Sequence, residues 1–439
     1  MKRKYILGGL LVGIIGLVAA LMILQPNIWS AASTPTPEPA TPAPAPEVFV
    51  EEISFTDIIP EDLRFQEGWC WNAIGVDTQG WVYMGIGGEA PGAQDVVVVR
   101  YNPETGERKF LTTLQTVSQV SDNLEPGEEM PKGHTRIVEM NGKIYLGSQG
   151  FHDIFKVDPR VRGGHLFEMD VVSETWHDLS ATEPDGVSIP HQGIIGIDVV
   201  PEENLVVGLG HPSGDIVVYD LSTQRSTVYT NPDAAQYLGR NISRHIAYSS
   251  KHNRIYTSFA GSPMLRLDLD TGEYVTLPES NGTFYYGQGP GYDYGNEFVT
   301  AMAKDQDGSD IYYVVPTAYL YHFDTDSETL TRLGPINTPE ELDQDIEGGG
   351  GFSLVMSQDE KTLYAIPSSM SDGSISLYRY HIATDRWSKI ADLTGELGDA
   401  TFAGGEIDDE GRIYFARFGR RGNDTFVNLV QITLGYSQP

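Results

Sequence analysis

A hairpin that recurs seven times constrains this chain more than any other feature of it. Two strands are joined through a polar turn in GVDTQGWVYMGIG, VEMNGKIYLGSQG, DVVPEENLVVGLG, YSSKHNRIYTSFAG, AKDQDGSDIYYVV, MSQDEKTLYAIPS and IDDEGRIYFARFG. The matching second-strand residues are Tyr83, Tyr145, Val206, Tyr256, Tyr313, Tyr364 and Tyr414. A second hairpin follows in six of the seven, in VVVVRYNPETGERKFLTTL, HLFEMDVVSETWHDL, DIVVYDLSTQRSTVY, MLRLDLDTGEYVTL, YLYHFDTDSETLTRL and SLYRYHIATDRWSKI. Its turn opens on Asn102, Asp170, Asp220, Asp268 or Asp324, with His381 in the sixth copy. A short Asx side chain there accepts backbone N–H bonds two residues on and closes the turn. The residues before each turn alternate with period two, so they are read as strands.

Two hairpins per repeat make a four-stranded blade, and the spacing of roughly 50 to 60 residues suits a ring of such blades. The seventh repeat supplies TFAGGEIDDE, GRIYFARFG and FVNLVQITL but no fourth strand. Val48 to Phe55 (VFVEEISF) is a strand without a partner, and pairing it with the last repeat would close the ring and remove a bare edge. The expected fold class is therefore all-β: a seven-bladed β-propeller over residues 48–439. Six or eight blades would leave a repeat over.

The pattern resembles the broad seven-bladed superfamily that includes quinoprotein-like, YVTN-type and kelch-type propellers. Gly163-Gly164, Trp176 and Trp387 carry the kelch-like part, which the other blades lack. No Trp-Asp dipeptide ends the blades.

Ahead of the repeats, Lys2, Arg3 and Lys4 precede an uncharged run from Ile6 to Leu24, close to the roughly 20 residues that cross a bilayer. Residues 1–30 are expected to be a signal anchor, or a signal peptide cleaved near Ser30-Ala31-Ala32-Ser33. The basic flank places the bulk of the chain outside the cytoplasm, so membrane contact is expected only through this segment. Residues 31–47 include TPTPEPATPAPAP, an extended proline-rich spacer.

With 29 Lys and Arg against 61 Asp and Glu, the formal charge is −32. That excludes nucleic acid as a natural partner, since phosphate binding needs a basic footprint. Cys70 is the sole cysteine, so there is no intramolecular disulfide, and a buried thiol is expected. A monomeric propeller is expected.

HExxH, G-x-S-x-G, CxxC and GxGxxG after a strand are all missing. Asp305, Asp307 and Asp310 in DQDGSD read as a turn ahead of a calcium site. Histidines carry the sharper pattern. His134 and His245 each stand 11 residues before their blade's reference tyrosine, and His191 opens the third blade. His152 and His211 fall in loops between second and third strands, which return to the same rim. The candidate catalytic set is His134, His152, His245 and Arg244. Histidine pairs with an arginine can move protons and neutralise a substrate carboxylate. The stretch GHTRIVEMNGKIYLGSQGFHD resembles the two-histidine arrangement of propeller polysaccharide lyases, a likeness that extends to His134 and His152 only. Alternatively His134, His152, His191 and His245 hold a divalent metal as the cofactor. Candidate ligand-binding residues are His191, His211, Trp71 and the loop tyrosines Tyr285, Tyr286, Tyr292 and Tyr294, whose rings suit sugar faces or a protein partner. Three readings stay open: a rim pocket that binds, or binds and cleaves, a polysaccharide or similar ligand, a non-catalytic propeller docking a cell-surface or secreted protein, and a metal or redox site in the channel.

Overall fold

Seven four-stranded antiparallel sheets account for nearly all the strands of the computed structural model. The described residues are 46–64, 68–88, 95–150, 157–237, 243–284, 297–344, 346, 349–368, 370–398, 400–421 and 424–435. Blade 1 runs through strands Ile74–Val76, Val82–Ile86, Val97–Tyr101 and Arg108–Thr113. Blades 2 to 6 repeat the same up-and-down order, beginning at Val138, Gly193, Ala247, Ala301 and Val355. Blade 7 takes three strands, Thr401–Ile407, Ile413–Arg421 and Asp424–Gly435, from the end of the described chain. Its fourth is Glu47–Ser54, one residue earlier than the sequence suggested, paired antiparallel from Glu47↔Gly435 to Ser54↔Asn428.

Packing explains why the middle strands read as continuous apolar runs. Each blade is covered on both faces, and seven separate hydrophobic clusters form, one at each blade–blade junction. Val97–Tyr101 is buried at every position, as VVVVRY requires. The ring-closing junction packs Ile53, Phe55, Ile74 and Met84 against Ala403, Tyr414 and Phe418. Glu52 of the added strand holds Arg417 of blade 7, a guanidinium that is 1% exposed, and accepts a bond from Asn428 as well.

Turn chemistry follows the expected Asx logic. Asn102 Oδ1 accepts from the N–H of Glu104 and Thr105, Asp170 Oδ1 from Val172 and Ser173, and Asp220 Oδ1 from Ser222 and Thr223. Asp268 and Asp324 do the same in blades 4 and 5. In DQDGSD the Asp305 carboxylate accepts from Ser309 and from the Asp310 N–H, which makes it a self-satisfied turn. Cys70 is fully buried, and burial pushes its thiol up to about 12. One seven-residue helix, Leu114–Val120, lies between blades 1 and 2, capped by the Thr113 side chain on the Thr116 N–H. It is too short to show helical periodicity in sequence.

The expected anchor, and residues 31–45 of the linker, lie outside the described residues, as do His152, Tyr285, Tyr286, Tyr292 and Tyr294. Among the described residues no helix is long and apolar enough to cross a membrane.

Candidate functional site

First strands line the central channel, so the residues just before them crowd one mouth and the turns after them crowd the other. Trp71, Arg244, Phe298 and Phe352 each stand three positions ahead of a first strand, those starting at Ile74, Ala247, Ala301 and Val355. All four are only partly buried. The Arg244 guanidinium lies 4.6 Å from the Trp71 ring centre and 5.8 Å from that of Phe298. Arg244 belongs to blade 4 and Trp71 to blade 1, so this contact spans the channel. Trp69 and Trp71 lie parallel at 5.8 Å, and Trp71 also meets Phe352 at 5.2 Å. Phe418, buried within the blade 7 strand Ile413–Arg421, presents its edge to both indoles. The structure therefore brings together two of the sequence-predicted residues, Arg244 and Trp71, and surrounds them with rings. An arginine over an indole face gains cation–π attraction of about 0.5–2 kcal/mol.

The histidines do not share one environment. His245 is 3% exposed and its Nε2–H donates to the Thr300 carbonyl at 3.1 Å. Burial, with Arg136 and Arg244 nearby, pushes it down to about 3, so the ring is neutral at ordinary pH. His211 is buried, with Nδ1 3.2 Å from Gln149 Nε2. His191 is exposed at φ 60° and donates from Nδ1 to the Val161 carbonyl at 2.9 Å. His134 is buried at the start of blade 2. Its equivalence to His245 fails on strand register. Val138 faces Tyr145, whereas Ala247 faces Tyr256, because the blade 4 turn is two residues longer than the blade 2 turn. Counted from those pairs, His134 is four positions upstream and His245 two, and the partner of His245 is Arg136. Among the described residues no three His, Cys, Asp or Glu side chains are grouped to hold a metal.

At the other mouth lies a cavity of about 310 Å³, lined by Arg136, Asp198, Tyr248, Lys304 and Glu406 with Glu139 of a first strand and the turn residue Glu202. Arg136 of blade 2 donates twice to Glu406 Oε1 of blade 7, at 2.9 and 2.6 Å. Lys304 of blade 5 meets Asp198 of blade 3 at 2.5 Å and the Tyr248 carbonyl at 2.8 Å. Burial pushes the Glu406 carboxyl up, against the pull of Arg136. Each pair skips one blade, so together they brace the ring across its channel.

A third polar cluster was not foreseen. His165 is fully buried, with Nδ1 2.8 Å from Asp178 and Nε2 2.9 Å from Glu128. Burial alone would push its pKa down, but the two carboxylates more than offset it and hold the ring charged, with the pKa raised. Ser118 and Asn123 also donate to Asp178, and Arg162 pairs with Glu128 at 3.0 Å. The cluster fastens the helix-bearing connection after blade 1 onto blade 2.

No protein-family model matches the chain, and no curated protein matches it. Among solved structures it is similar to the β-propeller domain of Cps50 (Swd1) from Myceliophteria thermophila, at 10% identity and a TM-score of 0.49. That likeness covers 83% of this chain and 96% of the other.

Proposed function

We propose that this chain is a binding propeller held outside the cytoplasm on a proline-rich stalk, taking a polysaccharide strand across the mouth formed by Trp69, Trp71, Phe298, Phe352 and Arg244. The observation that carries the reading is the partly exposed set of rings gathered from blades 1, 5 and 6 around one guanidinium. Soluble proteins seldom leave contiguous apolar surface exposed without a use for it. Flat rings with a polar edge suit the C–H faces and hydroxyl rims of pyranoses. Location outside the cytoplasm is supported by the basic residues and apolar run at Lys2–Leu24.

Binding is favoured over cleavage because His245, which the sequence made part of a proton-transfer set, is kept neutral and engaged with backbone. A general acid or base works best with a pKa near the operating pH. The test is calorimetry of the full chain in detergent against a panel of plant, algal and bacterial polysaccharides. Saturable binding that Trp71→Ala weakens by about tenfold or more supports the reading. Binding to none of them, with capture of a cell-surface protein at the same mouth, would replace it with the protein-docking alternative.

A further inference from the structure

We infer that the outer edge of blade 7, strand Glu47–Ser54, takes an added strand from a basic protein partner, a segment in which Lys or Arg alternates with an apolar residue along one face. The inference is independent of the glycan reading and concerns the circumference of the ring. Its starting point is a comparison of the seven outer edges. An outer strand presents a row of unpaired N–H and C=O groups, and proteins blunt such rows with short strands, bulges, basic residues or proline. In blades 2 and 4 the outer strands, Trp176–Asp178 and Tyr274–Thr276, are three residues long. In blades 1, 5 and 6 the outer strand carries one residue without a partner across the ladder, Leu111, Leu333 or Ile390, and a base, Lys109, Arg332 or Lys389. In blade 3 it is Arg225–Tyr229, which opens on a basic residue.

Blade 7 has none of these devices. Glu47–Ser54 is the longest outer strand at eight residues, pairs without a break along its whole length, and holds no Lys, Arg or Pro. It stands last in its sheet, so its outer edge carries no strand among the described residues. Only the Ser54 end is engaged, where Arg108 of blade 1 donates to the Ser54 carbonyl and pairs with Asp57 at 2.7 Å. Side chains alternate between the two faces of the strand. Val48 and Val50 pack toward the junction of blades 6 and 7, and Glu52 holds Arg417. Glu47, Phe49 and Glu51 take the other face and are all exposed, Phe49 at 54%. Glu47 and Phe49 lie together beside Gly435, where a Cβ would come 3.3 Å from Phe49 Cε2 and 3.7 Å from Glu47 Cβ. An acid, a ring and an acid at alternate positions match a base, an apolar group and a base directly opposite. Such cross-strand pairs attract, whereas like charges set opposite each other repel. Two copies of this chain joined edge to edge would crowd their carboxylates onto one ribbon, so a basic partner fits better than a second copy. The backbone ladder supplies affinity in strand addition, and the alternate side chains choose the partner.

The test uses the full chain in detergent and four capped, fluorescently labelled peptides. The first carries lysine, valine and lysine at alternate positions with threonine between, and the second replaces its lysines with glutamates. The third and fourth are the lysine peptide N-methylated on one alternate set of residues or on the other. Fluorescence anisotropy is expected to show the lysine peptide bound saturably, and at least about tenfold more tightly than the glutamate peptide, from two charge pairs worth up to about fivefold each. One N-methylated peptide should lose binding and the other keep it, because only alternate N–H groups face the ladder. Glu51→Lys, a change at an exposed position, should weaken the lysine peptide by about fivefold or more and strengthen the glutamate peptide, with the near-ultraviolet circular dichroism unchanged. Binding that survives both N-methylations would overturn strand addition and leave only the general attraction of a chain of charge −32 for a cation. A lysine peptide that does not bind would overturn the inference outright. A dimer of the chain that Phe49→Lys dissolves would overturn it in favour of a second copy at this edge.

Discussion

The two mouths of one channel are built from opposite ends of the same first strands, yet they solve the problem of buried polarity in opposite ways. At the turn side, Arg136 answers Glu406 and Lys304 answers Asp198. Each of these four charges has its counter-charge within the chain. At the other side, rings stand partly open around Arg244, and the indole N–H groups of Trp69 and Trp71 have no acceptor among the described residues. The difference follows from how each mouth is fed. Three of the four bracing charges, Asp198, Lys304 and Glu406, lie within first strands and are held in register, so their side chains meet partners across the ring predictably. Residues upstream of those strands arrive from blade-to-blade connections of varied length, where sequence is free to change without disturbing a ladder. The braced mouth is read as structure and the open one as function.

The largest effect that would break this contrast is at the braced mouth. Arg136→Met leaves Glu406 without its partner in a site where the two side chains are only 23% and 15% exposed. The loss of stability should be about 2–3 kcal/mol, somewhat below the cost for a fully buried pair. Adding Glu406→Leu should recover most of it, because no lone charge then remains. Thermal midpoints of the single and double variants test this, and glycan affinity should stay within a factor of about two. Next in size is Trp71→Ala at the open mouth. It should weaken glycan binding by about tenfold or more, the worth of one large ring. The accompanying fall in thermal midpoint should be smaller than that of Arg136→Met. If the two variants exchange their effects, the assignment of the mouths is reversed.

How far sequence alone reaches can be read from the same residues. Blade number and ring closure were legible, because period-two strands and Asx turns are local and repeat, and Glu47–Ser54 was the one strand left without a partner. Trp71 and Arg244 were also named in advance, but for separate reasons. Phe298 and Phe352 were missed although a signal existed: each occupies the third position before a first strand. The kinship of His134 and His245 was misread because register depends on turn length, and two extra residues in the blade 4 turn shift every count that crosses it. His165 left no local trace. Its partners Glu128 and Asp178 lie 37 and 13 residues away, in elements whose packing only the folded ring defines.

That cluster gives the third effect. His165 has a raised pKa, so its stabilisation is whole below the ordinary imidazole range and is lost as pH rises through the folded value. Between about pH 6 and about pH 9 the wild type should lose more thermal stability than His165→Gln. Parallel curves for the two proteins would mean that the imidazole is neutral in the fold and that Glu128 and Asp178 are satisfied without its charge.

The smallest effect concerns His245, and its smallness is the point. The ring's pKa is depressed to about 3, so its contribution to stability is present above the ordinary imidazole range and fades as pH falls toward about 3. His245→Asn should therefore lessen acid sensitivity below about pH 6 while changing little above it. Glycan binding at the open mouth should be flat between about pH 6 and about pH 8, since the neutral ring does not titrate there and Arg244 stays charged. A sigmoid or bell-shaped affinity profile in that window would show that a histidine in the mouth changes charge with the ligand bound. It would return His134 and His152 to consideration as proton carriers, and with them the possibility that the mouth cleaves what it holds.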